Sequence, residues 1–87
     1  MSDAAETLVG IVEKNRTEEV RVRLAVWQGC DFVDLRVFAE FDGTDGERRP
    51  TKRGVAIAVH RLPELVTALQ GALAEAQRQG LIQEGGR

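Results

Sequence analysis

Hydrophobic and polar residues alternate along two consecutive segments of the chain, which is the pattern of strands with one buried face. In residues 19–27, EVRVRLAVW, three valines and a leucine fall on one side. Residues 32–41, FVDLRVFAEF, alternate in the same way, and the QGCD between the segments contains the glycine that a hairpin turn needs. The two segments are therefore predicted to pair as a long antiparallel hairpin.

Two further strands and one helix complete the predicted fold. Apolar stretches at 8–15 and 54–59 predict the first and fourth strands, and two Asp-Gly pairs within 42–53 predict a loop or an extended hairpin connection before the fourth. From about 60 to 79 the apolar spacing is that of an amphipathic helix, which we expect to pack on the apolar face of the hairpin. The pattern predicts an α+β domain: a four-stranded antiparallel sheet followed by one C-terminal helix.

Composition agrees with one small globular domain, since the 87 residues are 43% hydrophobic and 30% charged. We expect the domain to span 8–80, with a disordered tail at 1–7 and a loose segment at 81–87. The chain shows neither a signal peptide nor an apolar run long enough to cross a bilayer. We therefore expect no membrane partner and a location in a bacterial cytoplasm or nucleoid.

Catalytic, metal and cofactor sites are not expected in this chain. The single histidine, His60, and the single cysteine, Cys30, lie far apart in sequence, with no nucleophile or further ligand beside them. Asp34 and Glu40 share one strand face, but six residues of strand place them about 20 Å apart, too far for a two-carboxylate mechanism. The sequence predicts a non-enzymatic protein without metal or cofactor.

The face of the hairpin opposite the valines combines cations with aromatic rings. It carries Arg21, Arg23, Trp27, Phe32, Arg36 and Phe38. Because cations follow phosphates and flat rings accept unstacked bases, this composition is typical of surfaces that bind single-stranded nucleic acid. The pattern fits equally well a solvated face on which arginines pair with Asp34 or Glu40, or a subunit contact at Trp27.

A second group of cations precedes the fourth strand. The net charge of the chain is -2, yet residues 48–61, RRPTKRGVAIAVHR, contain five Lys and Arg and no acid. Screening acts over about 10 Å at 0.1 M salt, so a phosphate responds to the local charge. Lys52 and Arg53 are therefore candidate phosphate ligands, with a solvated loop paired to its own acids as the alternative.

The motifs WQG, VDLR and RPTKRG, in this order and spacing, resemble the transcriptional coactivator family called positive cofactor four. The resemblance covers about residues 8–79, nearly the whole chain. It implies four curved antiparallel strands and a helix, a homodimer, and a sheet surface that binds single-stranded or melted DNA with little sequence preference. On this resemblance the stacking aromatic falls on Trp27, the strand arginine on Arg36, and a second aromatic on Phe38.

The resemblance also assigns the family's paired cations to Lys52 and Arg53, which would meet phosphates at the edge of the sheet. The chain departs from the family pattern at Gln28 and Cys30, where lysines flank the hairpin glycine, and at Ala39, where a further aromatic is expected. We expect these departures to lower affinity rather than change the fold. Arginines on the second strand are expected to compensate in part.

These considerations define two predicted surfaces. The nucleic-acid surface comprises Arg21, Arg23, Trp27, Gln28, Arg36, Phe38, Lys52 and Arg53. The dimer surface comprises the apolar stripe of the helix, namely Leu62, Leu65, Val66, Leu69 and Leu73. The predicted partners are single-stranded or melted DNA, RNA as a second possible ligand, another copy of the chain, and the transcription machinery. The alternative function is a dimeric protein-interaction module, or an RNA-binding protein with incidental DNA affinity.

Overall fold

A computed structural model describes residues 6–41, 43 and 46–82. Its strands are β1 (Glu6–Glu13), β2 (Glu18–Trp27), β3 (Cys30–Glu40) and β4 (Arg48–Ala58). They form one antiparallel sheet in the order β1-β2-β3-β4, and a 3-10 turn (Val59–Arg61) leads into the helix α1 (Leu62–Arg78). The predicted α+β fold, a four-stranded antiparallel sheet followed by one helix, is confirmed.

Most of the two predicted tails lies outside the described residues. Within the described part, β1 begins at Glu6, so the last two residues of the predicted 1–7 tail belong to a strand. At the other end, α1 is followed by a turn at Gln79 and Gly80, where the N–H of Gly80 donates to the carbonyl oxygen of Gln77 at 3.1 Å.

The hairpin of β2 and β3 has the predicted register and turn. Val22 lies opposite Leu35 and Arg23 opposite Asp34, so the apolar residues occupy one face and the arginines the other. Gln28 and Gly29 connect the strands with φ of 52° and 76°, as a two-residue type I′ turn requires. The alternating pattern alone therefore places the side chains of the hairpin correctly.

Strand β4 begins earlier than predicted, since residues 48–53 were assigned to a loop or an extended hairpin connection and belong to the strand. It lies at the edge of the sheet, where a proline and charged side chains are tolerated. A bulge interrupts its pairing: Arg36 lies opposite Gly54 and Phe38 opposite Pro50, so one residue of β3 faces three of β4. Thr51 closes this bulge by donating from its hydroxyl to the carbonyl oxygen of Val37 at 2.8 Å.

Gly54 allows β4 to return to β3 after the bulge. Its φ is 155°, and a Cβ at this position would lie 2.4 Å from the carbonyl oxygen of Leu35 and 2.9 Å from the Cα of Arg36. Only glycine fits such an approach between two backbones. The RPTKRG motif thus encodes a bulge that displays two cations and then rejoins the sheet.

The helix begins at Leu62 with Pro63 in its first turn, close to the predicted position. The expectation that it packs on the hairpin was wrong, because no residue of α1 is buried. A three-residue 3-10 turn carries the chain from β4 into α1, and the helix makes few contacts with the strands. The radius of gyration is accordingly 15.5 Å, against about 12 Å for a compact chain of this length.

The hydrophobic core of the single chain is small. Among the described residues, the buried hydrophobic side chains are Val33, Phe38 and Ala39. In contrast, Leu69 is 55% exposed, and Val66 and Leu73 are exposed as well. The helix is neither long nor apolar enough to cross a membrane. One chain therefore leaves the apolar stripe of α1 uncovered.

Candidate nucleic-acid interface

The face opposite the apolar face of the hairpin, here called the arginine face, receives side chains from all four strands. In β2 and β3, Arg21 lies opposite Arg36, Arg23 opposite Asp34, and Ala25 opposite Phe32. Strand β1 adds Glu6 beside Ala25, and β4 adds Ala56 beside Asp34. The sheet thus brings together most of the predicted arginines and rings, along with carboxylates.

Asp34 lies at the centre of the arginine face and is 5% exposed. Its Oδ1 accepts a hydrogen bond from Arg36 Nη2 at 2.7 Å, and its Oδ2 accepts one from Arg23 Nη2 at 2.6 Å. Burial raises the pKa of Asp34, but hydrogen bonds from Arg36 and Arg23 outweigh it and hold the pKa below its usual value. Asp34 is therefore ionised at neutral pH and fixes both guanidinium groups.

Glu19 is a second carboxylate that binds two arginines, and it lies near the other end of the strands. Its Oε2 accepts from Arg21 Nε at 2.5 Å and its Oε1 from Arg48 Nη1 at 2.7 Å. The hydrogen bond from Arg21, followed by that from Arg48, lowers the pKa of Glu19 against the effect of burial. Arg48 also contacts Glu13 at 3.1 Å and Glu40 at 3.4 Å.

These contacts decide the charge of the arginine face. Four arginines, at 21, 23, 36 and 48, are bound by five carboxylates, at 6, 13, 19, 34 and 40. The pairing of arginines with Asp34 and Glu40, which the sequence pattern left open, is present. The centre of the face is consequently not a positively charged patch in the free protein.

Phe38 is covered by arginines. The ring is 6% exposed, and the guanidinium carbons of Arg21 and Arg23 lie 4.2 and 5.4 Å from its centroid. Cation–π attraction and the carboxylate contacts together hold these side chains over the ring. The expected open ring at this position is therefore closed in the single chain, and a base reaches it only if the arginines move.

Trp27 lies at the end of β2, and 64% of its surface is exposed. Together with Phe32, it lines a pocket of about 300 Å³ whose wall is mostly apolar. Ala25 and Ala56 also line this pocket, and Arg23, Asp34 and Glu6 form its polar part. Arg23 and Trp27 belong to the predicted site, whereas Phe32, the two alanines, Glu6 and Asp34 were not assigned to it. For Ala25, Phe32 and Asp34 the shared strand face was the available signal in the sequence, but a pocket across four strands requires the register.

The bulge of β4 presents the two predicted cations differently. Among the described residues Lys52 makes no ion pair, while its carbonyl oxygen accepts from Arg36 Nη1 at 3.2 Å. Arg53 is bound to Glu18. Hydrogen bonds from Arg53, and then from Asn15 and Lys14, lower the pKa of Glu18 to about 2.

The remaining predicted residues lie in the hairpin turn and in the loop before β4. Gln28 is exposed at the hairpin turn, beyond Trp27. Of the loop acids proposed as partners for the cations, Glu47 contacts Arg49 at 3.7 Å. Asp42 and Asp45 lie outside the described residues. No group of His, Cys, Asp or Glu within 6–41, 43 and 46–82 could hold a metal ion.

Comparison with known proteins identifies relatives of this chain. The family model described as Transcriptional Coactivator p15 (PC4) matches residues 14–68, more than half of the sequence. No match was found among curated proteins. A PC4 homolog from Burkholderia pseudomallei has a similar structure in two crystal forms. The orthorhombic form has 25% identity and a TM-score of 0.70, covering 78% of this chain and 89% of that one.

The tetragonal form of the same Burkholderia protein gives a TM-score of 0.69 at 25% identity, covering 78% of this chain and 97% of that one. A bacteriophage T5 homolog of the eukaryotic transcription coactivator PC4, implicated in recombination-dependent DNA replication, is 19% identical with a TM-score of 0.60. That comparison covers 95% of this chain and 91% of the phage protein, and it supports the fold.

Proposed function

The chain belongs to the transcriptional coactivator p15 (PC4) family, and from this premise we propose that it binds single-stranded or melted DNA without catalysing a reaction. The observation that carries the proposal is the open ring of Trp27 on a face that also presents arginines. Stacking of one base on an aromatic ring contributes about 1–3 kcal/mol and requires no particular sequence. Low sequence preference follows from stacking, and a function in transcription is proposed from the family membership.

Phosphates are proposed to enter at the bulge of β4. Lys52 is exposed there without an ion pair among the described residues, and Arg53 has a single carboxylate partner, Glu18. The Arg53 side chain is 56% exposed, so a phosphate can reach it and compete with Glu18. Arg36 joins this bulge to the centre of the arginine face through its bond to the carbonyl oxygen of Lys52.

We also propose that two copies of the chain associate. The small core and the exposed stripe of α1 leave more apolar surface uncovered than a stable domain of this size tolerates. A second copy supplies an apolar face of matching composition, and two-fold dimers are the commonest oligomers. The proposed contact includes Leu62, Leu65, Val66, Leu69 and Leu73.

Replacing Trp27 with alanine is expected to weaken the binding of a single-stranded oligonucleotide by about 1–3 kcal/mol, because a stacking ring is lost. Since the ring is 64% exposed, the melting temperature should stay near that of the wild type. Trp27→Phe is the matched control, as it keeps an aromatic face and should retain most of the affinity. Unchanged affinity with a lowered melting temperature would instead place Trp27 in a subunit contact.

Removing both cations of the bulge, in Lys52→Ala/Arg53→Ala, is expected to weaken binding about equally for every sequence. Each phosphate contact on a single strand contributes about -0.7 to the slope of log K against log salt, so the slope should flatten by about 1.4. Titrations of a labelled oligonucleotide at several salt concentrations measure it. Arg61→Ala/Arg78→Ala removes equal charge from residues that pair with Glu64 and Glu75. An equal flattening in that control would contradict direct phosphate contacts.

A protein-interaction module is the second candidate, and the compensated charge of the arginine face favours it. A face with four arginines and five carboxylates attracts polyanions weakly at long range. The two candidates differ in one measurement, the binding of single-stranded DNA and RNA of equal length at low salt. Binding that weakens steeply with salt supports nucleic-acid recognition, and the stronger ligand identifies the nucleic acid. Absence of binding to both supports the interaction module.

A further inference from the structure

The pocket beside Trp27 has the size and lining of a site for a single flat ring. Its volume of about 300 Å³ lies at the lower end of the range for small-molecule sites, about 300–1,000 Å³. Trp27 and Phe32 supply aromatic surface. Ala25 and Ala56 have no atoms beyond Cβ, and they leave the space between the rings and Arg23 open.

The polar part of the pocket consists mainly of hydrogen-bond acceptors. Arg23 donates from Nη1 to Glu6 Oε1 at 3.0 Å and from Nη2 to Asp34 Oδ2 at 2.6 Å, so both terminal nitrogens are engaged. The second oxygen of Glu6, Oε2, accepts no hydrogen bond from the described residues, and its side chain is half exposed. A ligand in this pocket therefore meets carboxylate oxygens that accept N–H groups.

Arg23 Nε does not add a contact for a ligand. This nitrogen is buried from solvent and has no hydrogen-bond partner in the described part of the chain, so a ligand in the pocket does not reach it. The recognition that the pocket offers therefore lies in the acceptor oxygens of Glu6.

Resting on the proposed single-strand binding, we propose that this pocket is a subsite for one unstacked guanine. The Watson–Crick edge of guanine presents the O6 acceptor next to the N1–H and N2–H donors. Glu6 accepts the two donors, and Asp34 holds the neighbouring Arg23 in place. Trp27 and Phe32 contact the ring.

The other bases fit the acceptor oxygens of this pocket less well than guanine does. Thymine presents one N–H between two carbonyl oxygens, which face the carboxylates unfavourably. Cytosine and adenine each offer an amino group beside a ring acceptor, so they supply one of the two donors that Glu6 can accept. Guanine is accordingly expected to bind most tightly at this single position, and the rest of the strand remains bound without sequence preference.

The experiment compares oligomers of thymine that carry one central guanine, adenine or cytosine with an all-thymine oligomer of equal length. Trp27 is the only tryptophan of the chain, so its fluorescence reports directly on the pocket. A good two-bond contact to a base discriminates by about 1–3 kcal/mol, and the guanine oligomer should bind at least about fivefold more tightly. It should also quench Trp27 fluorescence most strongly.

Two variants test the assignment of residues. Glu6→Gln is expected to abolish the preference for guanine while the all-thymine oligomer still binds. Because the Glu6 side chain is half exposed, this variant should fold as the wild type does. Ala25→Leu fills the pocket and should abolish both the preference and the quenching. Glu13→Gln is the matched control, since Glu13 lies on the same strand but contacts Arg48 outside the pocket; it should keep the preference.

The outcomes separate this inference from the proposed function. Equal affinities of the wild type for all four oligomers would overturn the guanine subsite and leave single-strand binding in place. A preference that persists in Glu6→Gln would overturn the assigned recognition. Failure of the wild type to bind any oligomer would remove the proposed function, and the subsite with it.

Discussion

Replacing Leu69 with lysine is expected to separate the proposed dimer into monomers. Leu69 is 55% exposed in the single chain, so its replacement removes little contact within one copy. Burial of a leucine contributes about 1.5–3 kcal/mol, and a two-fold interface loses this contribution twice. The dissociation constant should therefore rise at least about 100-fold. Sedimentation of wild type and variant at micromolar concentration measures the change.

A control for this prediction is available on the same helix. Thr67 is exposed and lies on the opposite side of α1 from Leu69, so Thr67→Lys adds the same charge without entering the stripe. It should sediment as the wild type does. A wild type that is monomeric at micromolar concentration would refute the dimer, and an unaffected Leu69→Lys dimer would exclude this residue from the contact.

Replacing Asp34 with alanine should lower the free energy of unfolding by about 3 kcal/mol. Removal of one partner from a buried ion pair costs about 3–5 kcal/mol, because the remaining charge is left without compensation. We expect a loss at the lower end of this range, since the Arg23 and Arg36 side chains retain 20% and 22% exposure to water. Denaturant unfolding at one fixed protein concentration measures the loss, as association also contributes to stability. A loss below about 1 kcal/mol would indicate an ordinary surface pair.

The same residue predicts how stability depends on pH. The folded pKa of Asp34 lies below its unfolded value of about 3.9, because hydrogen bonds from Arg36 and Arg23 outweigh burial. Its stabilisation is therefore fully present above about pH 4 and is lost as the pH falls through the folded pKa. Asp34→Asn should flatten the decline of stability in this acidic window. Identical acid profiles of variant and wild type would contradict the assignment.

The alternating pattern of the sequence determined the hairpin and its two faces. The period of two along 19–27 and 32–41 assigns each side chain to a side, and Gly29 marks the turn between them. The start of α1 follows equally from local spacing and from Pro63. These features depend on neighbours along the chain, so one sequence suffices to predict them.

The identities of the candidate residues were also accessible from sequence. Whether their side chains are exposed, covered or paired was not. Trp27 and Lys52 are exposed, as a binding residue requires. Phe38 is covered, and Arg21 and Arg23 are bound by carboxylates. Which arginine meets which acid depends on cross-strand register and on side-chain direction. The composition along the chain specifies neither the register nor the side-chain direction.

Only the tertiary structure decided the extent of β4, the pocket and the position of α1. Residues 48–50 become strand because they pair with 38–40 of β3, which outweighs their turn-like composition, and residues 51–53 form the bulge. The pocket exists because Glu6, Ala25, Phe32 and Ala56 meet from four strands. The helix makes few contacts with the sheet. The sequence does not determine this placement, because the apolar stripe of the helix would suit either its own sheet or a second copy. Local patterns specify which surfaces are apolar, whereas chain connectivity and pairing between distant segments determine what those surfaces contact.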